Sequence, residues 1–75
     1  MTIPIGTIIQ EQLHNRERSA AWLAKKLHCD ASNFSKKLKK NSIDTELLMR
    51  ISLALEYNFF APYFDAVKTE LKHHH

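Results

Sequence analysis

The sequence predicts a compact all-α domain of five helices, organised around a central pair of helices joined by a tight turn. Apolar residues recur at spacings of three and four along most of the chain, which is the period of an α-helix. One glycine and two prolines among 75 residues leave little material for the turns of a sheet protein. The length allows one domain, predicted to span residues 1–72, and a single cysteine excludes an internal disulfide.

The first helix is predicted to run from Pro4 or Ile5 to His14. Pro4 disfavours the helical conformation for the residue before it, so the chain begins extended. Gly6 weakens the helix slightly near its start. The apolar residues that recur at helical spacing are Ile5, Ile8, Ile9 and Leu13.

The central helix pair is predicted between residues 19 and 41. Ser19 and Asp30 suit the N-cap positions of its two helices, because their side-chain oxygens can accept hydrogen bonds from free backbone N–H groups. One inward stripe per helix would dock the pair on the rest of the domain. The residues of these stripes are Leu23, Ala24 and Leu27 in the first helix, and Phe34 and Leu38 in the second.

The outer face of the second helix of the pair is small and polar at its start and basic at its end. A helix of this kind, held by a narrow apolar seam, fits the major groove of DNA. The outward residues are Ala31, Ser32, Ser35, Lys36 and Lys39.

Basic charge is concentrated around the helix pair. Residues 16–40 contain eight Lys or Arg residues and two acidic residues, a net charge of +6, whereas the rest of the chain has three basic and six acidic residues, a net charge of −3. Lysines occupy any solvated helix face, so a lysine cluster alone is uninformative. Its coincidence with the helix pair favours a surface that binds phosphate groups.

A fourth helix is predicted to begin after Asp44, which suits its N-cap, while Ile43 and Leu48 can form a hydrophobic staple. Met49 and Leu53 extend the apolar surface beyond a single stripe. We therefore expect this helix to be the most enclosed of the five. Its apolar stripe consists of Leu47, Leu48, Ile51, Ala54 and Leu55.

The segment 57–67 is the most aromatic part of the chain. Asn58 can cap a short fifth helix, and Pro62 is tolerated in its first turn. The six large apolar side chains here exceed what one edge of a small core can absorb, so some should stay exposed and form a dimer interface. They are Tyr57, Phe59, Phe60, Tyr63, Phe64 and Val67.

The motif at residues 19–41 resembles the helix-turn-helix of the lambda-repressor-like DNA-binding domains, the Cro, phage-repressor and XRE-type transcriptional regulators. The resemblance covers roughly residues 5–64, and small Ala24 stands where a larger side chain would push the two helices apart. His28 departs from the family, whose turn usually begins with glycine because it needs a positive φ. We expect a strained but intact turn at His28, costing about 1 kcal/mol relative to glycine.

The resemblance implies a small repressor that binds duplex DNA as a two-fold dimer, with the helix at about 31–40 in the major groove. It places base-reading contacts at Ala31, Ser32, Ser35 and Lys36. It places phosphate contacts at Ser19, Asn33, Lys37, Lys39, Lys40 and Asn41.

Other classes of binding protein stay open. The aromatic segment 57–67 also suits a module that binds a protein partner, as an antitoxin does, without reading DNA. RNA is a weaker candidate, because the helix pair lacks exposed aromatic residues for stacking on single-stranded bases. For Trp22, packing against the first or fourth helix and a DNA-backbone contact through the indole N–H both remain possible.

No pattern typical of an enzyme is present. The serines lack a glycine elbow, and His14 and His28 have no obvious acid partner. Cys29 beside His28 lacks two further ligands at zinc spacing. We therefore expect no catalysis, no cofactor, no metal and no small-molecule ligand.

The sequence also predicts the environment of the chain. No apolar run reaches membrane-spanning length, and the N-terminus lacks the features of a signal peptide, so we expect a cytoplasmic protein without membrane contact. Residues 73–75 are three histidines and are interpreted as the remnant of a purification tag or as a native tail that resembles one.

Overall fold

The computed structural model describes residues 3–73, and every regular element in that range is an α-helix. This confirms the all-α class and the number of helices. None of the described helices is both long enough and apolar enough to cross a membrane. His73 ends the last helix, whereas residues 74 and 75 of the predicted tag remnant lie outside the described residues. The helices are α1 (Ile5–Asn15), α2 (Ala20–Lys26), α3 (Ala31–Lys40), α4 (Thr45–Leu55) and α5 (Ala61–His73).

Three side-chain caps fix where the middle helices begin, and all three were expected from the sequence. Ser19 Oγ accepts from the Trp22 N–H at 3.0 Å at the start of α2. Asp30 Oδ2 accepts from the Asn33 N–H at 3.0 Å before α3. Asp44 Oδ1 accepts from the N–H of Leu47 at 2.7 Å before α4. Each cap satisfies a backbone donor that has no partner inside its helix.

The hydrophobic core lies among α1 to α4. Its members come from the inward stripes predicted for these helices, and Phe59 from the α4–α5 link completes it. None of the residues of α5 is buried. The core residues are Ile5, Ile9, Leu13, Leu23, Ala24, Leu27, Phe34, Leu38, Leu47, Leu48, Ile51, Leu55 and Phe59.

The start of α1 lies directly against the end of α3. A Cβ atom added to Gly6 would lie 1.7 Å from the carbonyl oxygen of Leu38, so only glycine permits this approach. The Gly6 N–H donates to Asn41 Oδ1 at 2.8 Å. Gly6 therefore weakens α1 as a helix but allows the closest contact between α1 and α3.

The turn between α2 and α3 has the backbone conformation expected at His28, with φ of 59°. The Cys29 N–H donates to the carbonyl of Ala24 at 2.8 Å, and Ala24 itself is fully buried. The Arg50 guanidinium of α4 donates to the carbonyl of Leu27. Hydrogen bonds from both sides therefore hold the turn in place.

The prediction that α4 is the most enclosed helix is wrong. Leu53 is 72% exposed and Met49 is 46% exposed, although the predicted stripe on the other side of α4 does face the core. The rest of the chain covers α4 on one side only. Its apolar residues on the other side therefore stay exposed.

Phe59 also departs from its predicted place in a dimer interface. Its side chain is fully buried, and its ring packs against Tyr57 with 4.7 Å between centroids. Its N–H donates to Ser52 Oγ at 3.3 Å, and that hydroxyl donates to the Leu48 carbonyl at 2.8 Å. These bonds turn the α4–α5 link inward, so Phe59 closes the core.

Helix α5 lies at the margin of the core, in a molecule measuring 44 × 21 × 19 Å. The Phe60 N–H donates to Asn58 Oδ1 at 3.0 Å just before α5, and Pro62 lies in its first turn as expected. Partial burial raises the pKa of Tyr63 above its ordinary value. Phe64 and Val67 remain exposed, as the apolar excess predicted.

Candidate nucleic-acid interface

The outward residues of α3 form one side of a shallow depression, and the first turn of α2 forms the other. Ala31, Ser32 and Lys36 are exposed, and Ser35 is half-buried. The structure thus brings together all four residues that the resemblance assigned to base reading. We call this surface the α2–α3 depression; it is lined by Ala20, Ala21, Ala31, Ser32, Ser35, Lys36 and Lys39.

The orientation of α3 is fixed by its buried side. Phe34 and Leu38 are almost fully buried and lie four residues apart, which places them on one stripe of the helix. Asp30 caps the start of α3, and Asn41 ends it in a left-handed conformation with φ of 54°. A helix held along its side and at both ends presents its outward face in one orientation.

A second exposed stripe of α3 runs beside the depression. Asn33, Lys37 and Lys40 lie at spacings of four and three, so they share one side of the helix. All three are exposed. Lysines in the last turn also interact favourably with the negative end of the helix dipole, which accounts for part of their placement.

Two side chains predicted to contact phosphate already make internal hydrogen bonds. Ser19 Oγ accepts a hydrogen bond within the α2 cap, and Asn41 Oδ1 accepts one from Gly6. A phosphate contact at these positions would therefore use their donors, the Ser19 hydroxyl hydrogen and the Asn41 amide hydrogens. Lys39, by contrast, lines the α2–α3 depression itself.

Of the two roles that the sequence left open for Trp22, the structure shows packing, and the DNA-backbone contact through the indole N–H stays a prediction. Its side chain is half-buried and packs against the core. The guanidinium of Arg18 lies 4.8 Å and the ammonium of Lys26 5.4 Å from its ring centroid, within the range of cation–π attraction. The spacing of four residues on either side of Trp22 was the signal for this arrangement, and our sequence interpretation missed it.

Arg50 is the other residue whose role in the site was missed. It lies outside the apolar stripe of α4, which gave no reason to expect a contact within the chain. In the structure its guanidinium reaches across to the carbonyl of Leu27 at the end of α2. Sequence spacing gives no signal for a contact between residues 23 positions apart.

His28 and Cys29 stand at the turn without forming a ligand cluster. Cys29 is a free, half-buried thiol whose Sγ lies 3.7 Å from the carbonyl oxygen of Leu27. Within residues 3–73, no group of three or more His, Cys, Asp or Glu side chains is placed to hold a metal ion.

Comparisons with protein-family models, with curated proteins and with solved structures gave no match for this chain. The interpretation of the α2–α3 depression therefore depends on its own residues and their geometry.

Proposed function

We propose that this chain is a sequence-specific transcription regulator, a small repressor, that binds duplex DNA with α3 in the major groove. The observation that carries the proposal is the α2–α3 depression, in which small polar side chains and lysines share the outward face of one rigidly held helix. A helix with its side chains is 10–12 Å across, which matches a major groove about 12 Å wide.

Base reading is assigned to four of the residues that line the depression. Lys36 can donate to O6 and N7 of guanine, and Ser32 and Ser35 can each donate or accept at base edges. Ala31 can contact the methyl group of thymine. The small size of three of these four side chains lets the α3 backbone approach the bases closely.

Phosphate binding is assigned to the lysines around the depression. Lys37 and Lys40 lie on the exposed stripe of α3 beside the base-reading residues. Asn33 lies on the same stripe and is assigned to phosphate as well. Lys39 lines the depression next to the base-reading residues. Contacts of this kind fix register and affinity, and the release of counterions makes them sensitive to salt.

The distribution of exposed aromatic side chains favours duplex DNA over RNA. The α2–α3 depression contains no aromatic residue. Single-stranded bases are usually recognised by stacking on aromatic side chains, whereas a duplex groove is read by hydrogen-bonding groups on a helix.

A homodimer follows from the limited reach of one α3. Four base-reading side chains specify only a few base pairs, and a two-fold dimer doubles the site. The centres of the two half-sites would then lie about 34 Å apart, one turn of DNA. The exposed apolar side chains of α4 and α5 supply a surface for this pairing that is separate from the α2–α3 depression.

The test begins with selection of tight-binding duplexes from a random pool, followed by fluorescence anisotropy of the selected duplex at several salt concentrations. Lys39→Ala/Lys40→Ala should lower the affinity and reduce the salt dependence by about two phosphate contacts. Lys72→Ala on α5 removes a charge far from the helix pair in sequence and should leave both unchanged. Absence of binding by the wild type at low salt, or an equal effect of Lys72→Ala, would refute the proposal.

A further inference from the structure

The large apolar side chains that are exposed in residues 3–73 all lie between positions 49 and 71. The helix pair contributes none of them, although it is the most strongly charged part of the chain. Exposed apolar side chains scattered singly need no explanation, but a set confined to one segment marks an interface. The set is Met49, Leu53, Tyr57, Phe64, Val67 and Leu71.

Half of this set lines a groove where α4 meets the α4–α5 link. Met49, Leu53 and Tyr57 follow one another at intervals of four along the chain, and Phe60 lines the groove from the other end. Glu56 adds a carboxylate to the lining. We call this surface the α4 groove.

The other half forms a ridge on α5. Phe64, Val67 and Leu71 are separated by three and four residues, so they lie on one stripe, and Phe64 is 69% exposed. A different side of α5, with Pro62 and Ala66, borders the start of α1. The α5 ridge therefore points away from the part of the molecule that α5 packs on.

We propose that the α5 ridge of one copy seats in the α4 groove of a second copy, and reciprocally, to form a two-fold dimer. The inference deepens the proposed function and rests on its requirement for two copies on one DNA site. One chain carries both an apolar ridge and an apolar groove, and an isologous pair covers both at once.

Charge favours a second copy as the occupant. The α4 groove carries the carboxylate of Glu56, and the α5 ridge carries the ammonium of Lys68, so one chain presents opposite charges on the two surfaces that would meet. Lys68 lies between Phe64 and Leu71 along the α5 ridge, at spacings of four and three. When the ridge fills the groove, Lys68 of one copy meets Glu56 of the other.

The arrangement leaves the proposed DNA-binding surface free. The α2–α3 depression and the two dimerising surfaces have no residue in common. Dimerisation and DNA binding can therefore be altered separately by substitution.

A charge exchange tests the pairing directly, by sedimentation equilibrium of the full chain without DNA. Glu56→Lys and Lys68→Glu should each raise the dimer dissociation constant about tenfold, because each dimer contains two like-charged contacts in place of two attractive ones. The double variant restores opposite charges and should return to within about threefold of the wild type. Glu11→Lys makes the same charge change on α1 and should have no effect.

Two apolar variants test the surfaces themselves. Leu53→Glu and Phe64→Asp should each weaken the dimer about a hundredfold, because a charge would be placed at the centre of the interface. Both side chains are mostly exposed in the single chain, so circular dichroism should show unchanged helix content. Dimers that survive both substitutions, or single charge variants that the double variant fails to rescue, would overturn the inference.

The two proposals fail in different measurements. A wild type that sediments as a monomer at all concentrations, with and without DNA, overturns the dimer inference. Anisotropy with a duplex containing one half-site tests DNA binding by a single copy. Binding to that duplex by Leu53→Glu at wild-type affinity would show DNA recognition intact while the dimer is lost, as the inference requires.

Discussion

The backbone N–H of Gly6 donates to the side-chain oxygen of Asn41 at 2.8 Å, across 35 positions of sequence. The bond joins the first turn of α1 to the residue that ends α3. A missing side chain at one position and a left-handed backbone at the other make the contact possible. It fixes the C-terminal end of the helix that carries the candidate nucleic-acid interface.

Gly6→Ala should destabilise the chain by about 3 kcal/mol, because the new methyl group would collide with the Leu38 carbonyl and force α1 and α3 apart. Helix propensity alone predicts the opposite, a gain of about 1 kcal/mol. Urea unfolding followed by circular dichroism measures the difference. Thr7→Ala, at the exposed next position of α1, is the control and should not destabilise. A Gly6→Ala variant as stable as the wild type would contradict the close approach.

Substitutions at Asn41 should separate its two contributions. Asn41→Gly keeps the left-handed conformation but removes the acceptor for the Gly6 N–H, at a cost of about 1 kcal/mol. Asn41→Ala loses the acceptor and also strains the backbone, which adds about 1 kcal/mol. The expected order of unfolding free energy is therefore Asn above Gly above Ala. Equal stability of the glycine and alanine variants would show that the left-handed backbone carries no cost.

Features set by nearby residues were predictable from the sequence. The caps at Ser19, Asp30 and Asp44 each require only a suitable side chain three residues before a free N–H. The positive φ at His28 was expected from the glycine that usually occupies this position in the resembled motif. The stripes of helical spacing then gave the core of α1 to α4.

Features that depend on contacts between residues far apart in the sequence were not predictable. The sequence marks Gly6 only as a poor helix former, because nothing nearby in the chain reveals that the Leu38 carbonyl will lie against it. Met49 and Leu53 were expected to be enclosed, although both are exposed, because the sequence does not show which side of α4 the rest of the chain covers. An apolar stripe shows that a face avoids water but not whether its own chain covers it. Phe59 shows the opposite error: it was expected in an exposed interface, but the α4–α5 link turns inward and buries it.

His28→Gly should stabilise the chain by about 1 kcal/mol, because glycine adopts the left-handed conformation of the turn without steric cost. The imidazole is exposed, so little packing is lost. His14→Gly on α1 is a matched control with the opposite expected sign, since glycine destabilises an ordinary helical position by about 1 kcal/mol. A destabilised His28→Gly variant would show that the imidazole contributes a contact of its own.

Lys36 and Lys37 provide the sharpest test of how the proposed DNA contacts divide. They are neighbours in sequence and carry the same charge, but Lys36 lines the α2–α3 depression whereas Lys37 lies on the stripe of Asn33 and Lys40.

Under the proposed function, Lys36→Ala should cost about 1–3 kcal/mol on the selected duplex and less on an unrelated one, so discrimination falls. Lys37→Ala should weaken binding to both duplexes equally and lower the salt dependence by about one contact. Anisotropy on the two duplexes at several salt concentrations separates the outcomes. If both variants lose the same affinity on both duplexes, the lysines act only as charges, and the assignment of base reading to the α2–α3 depression is wrong.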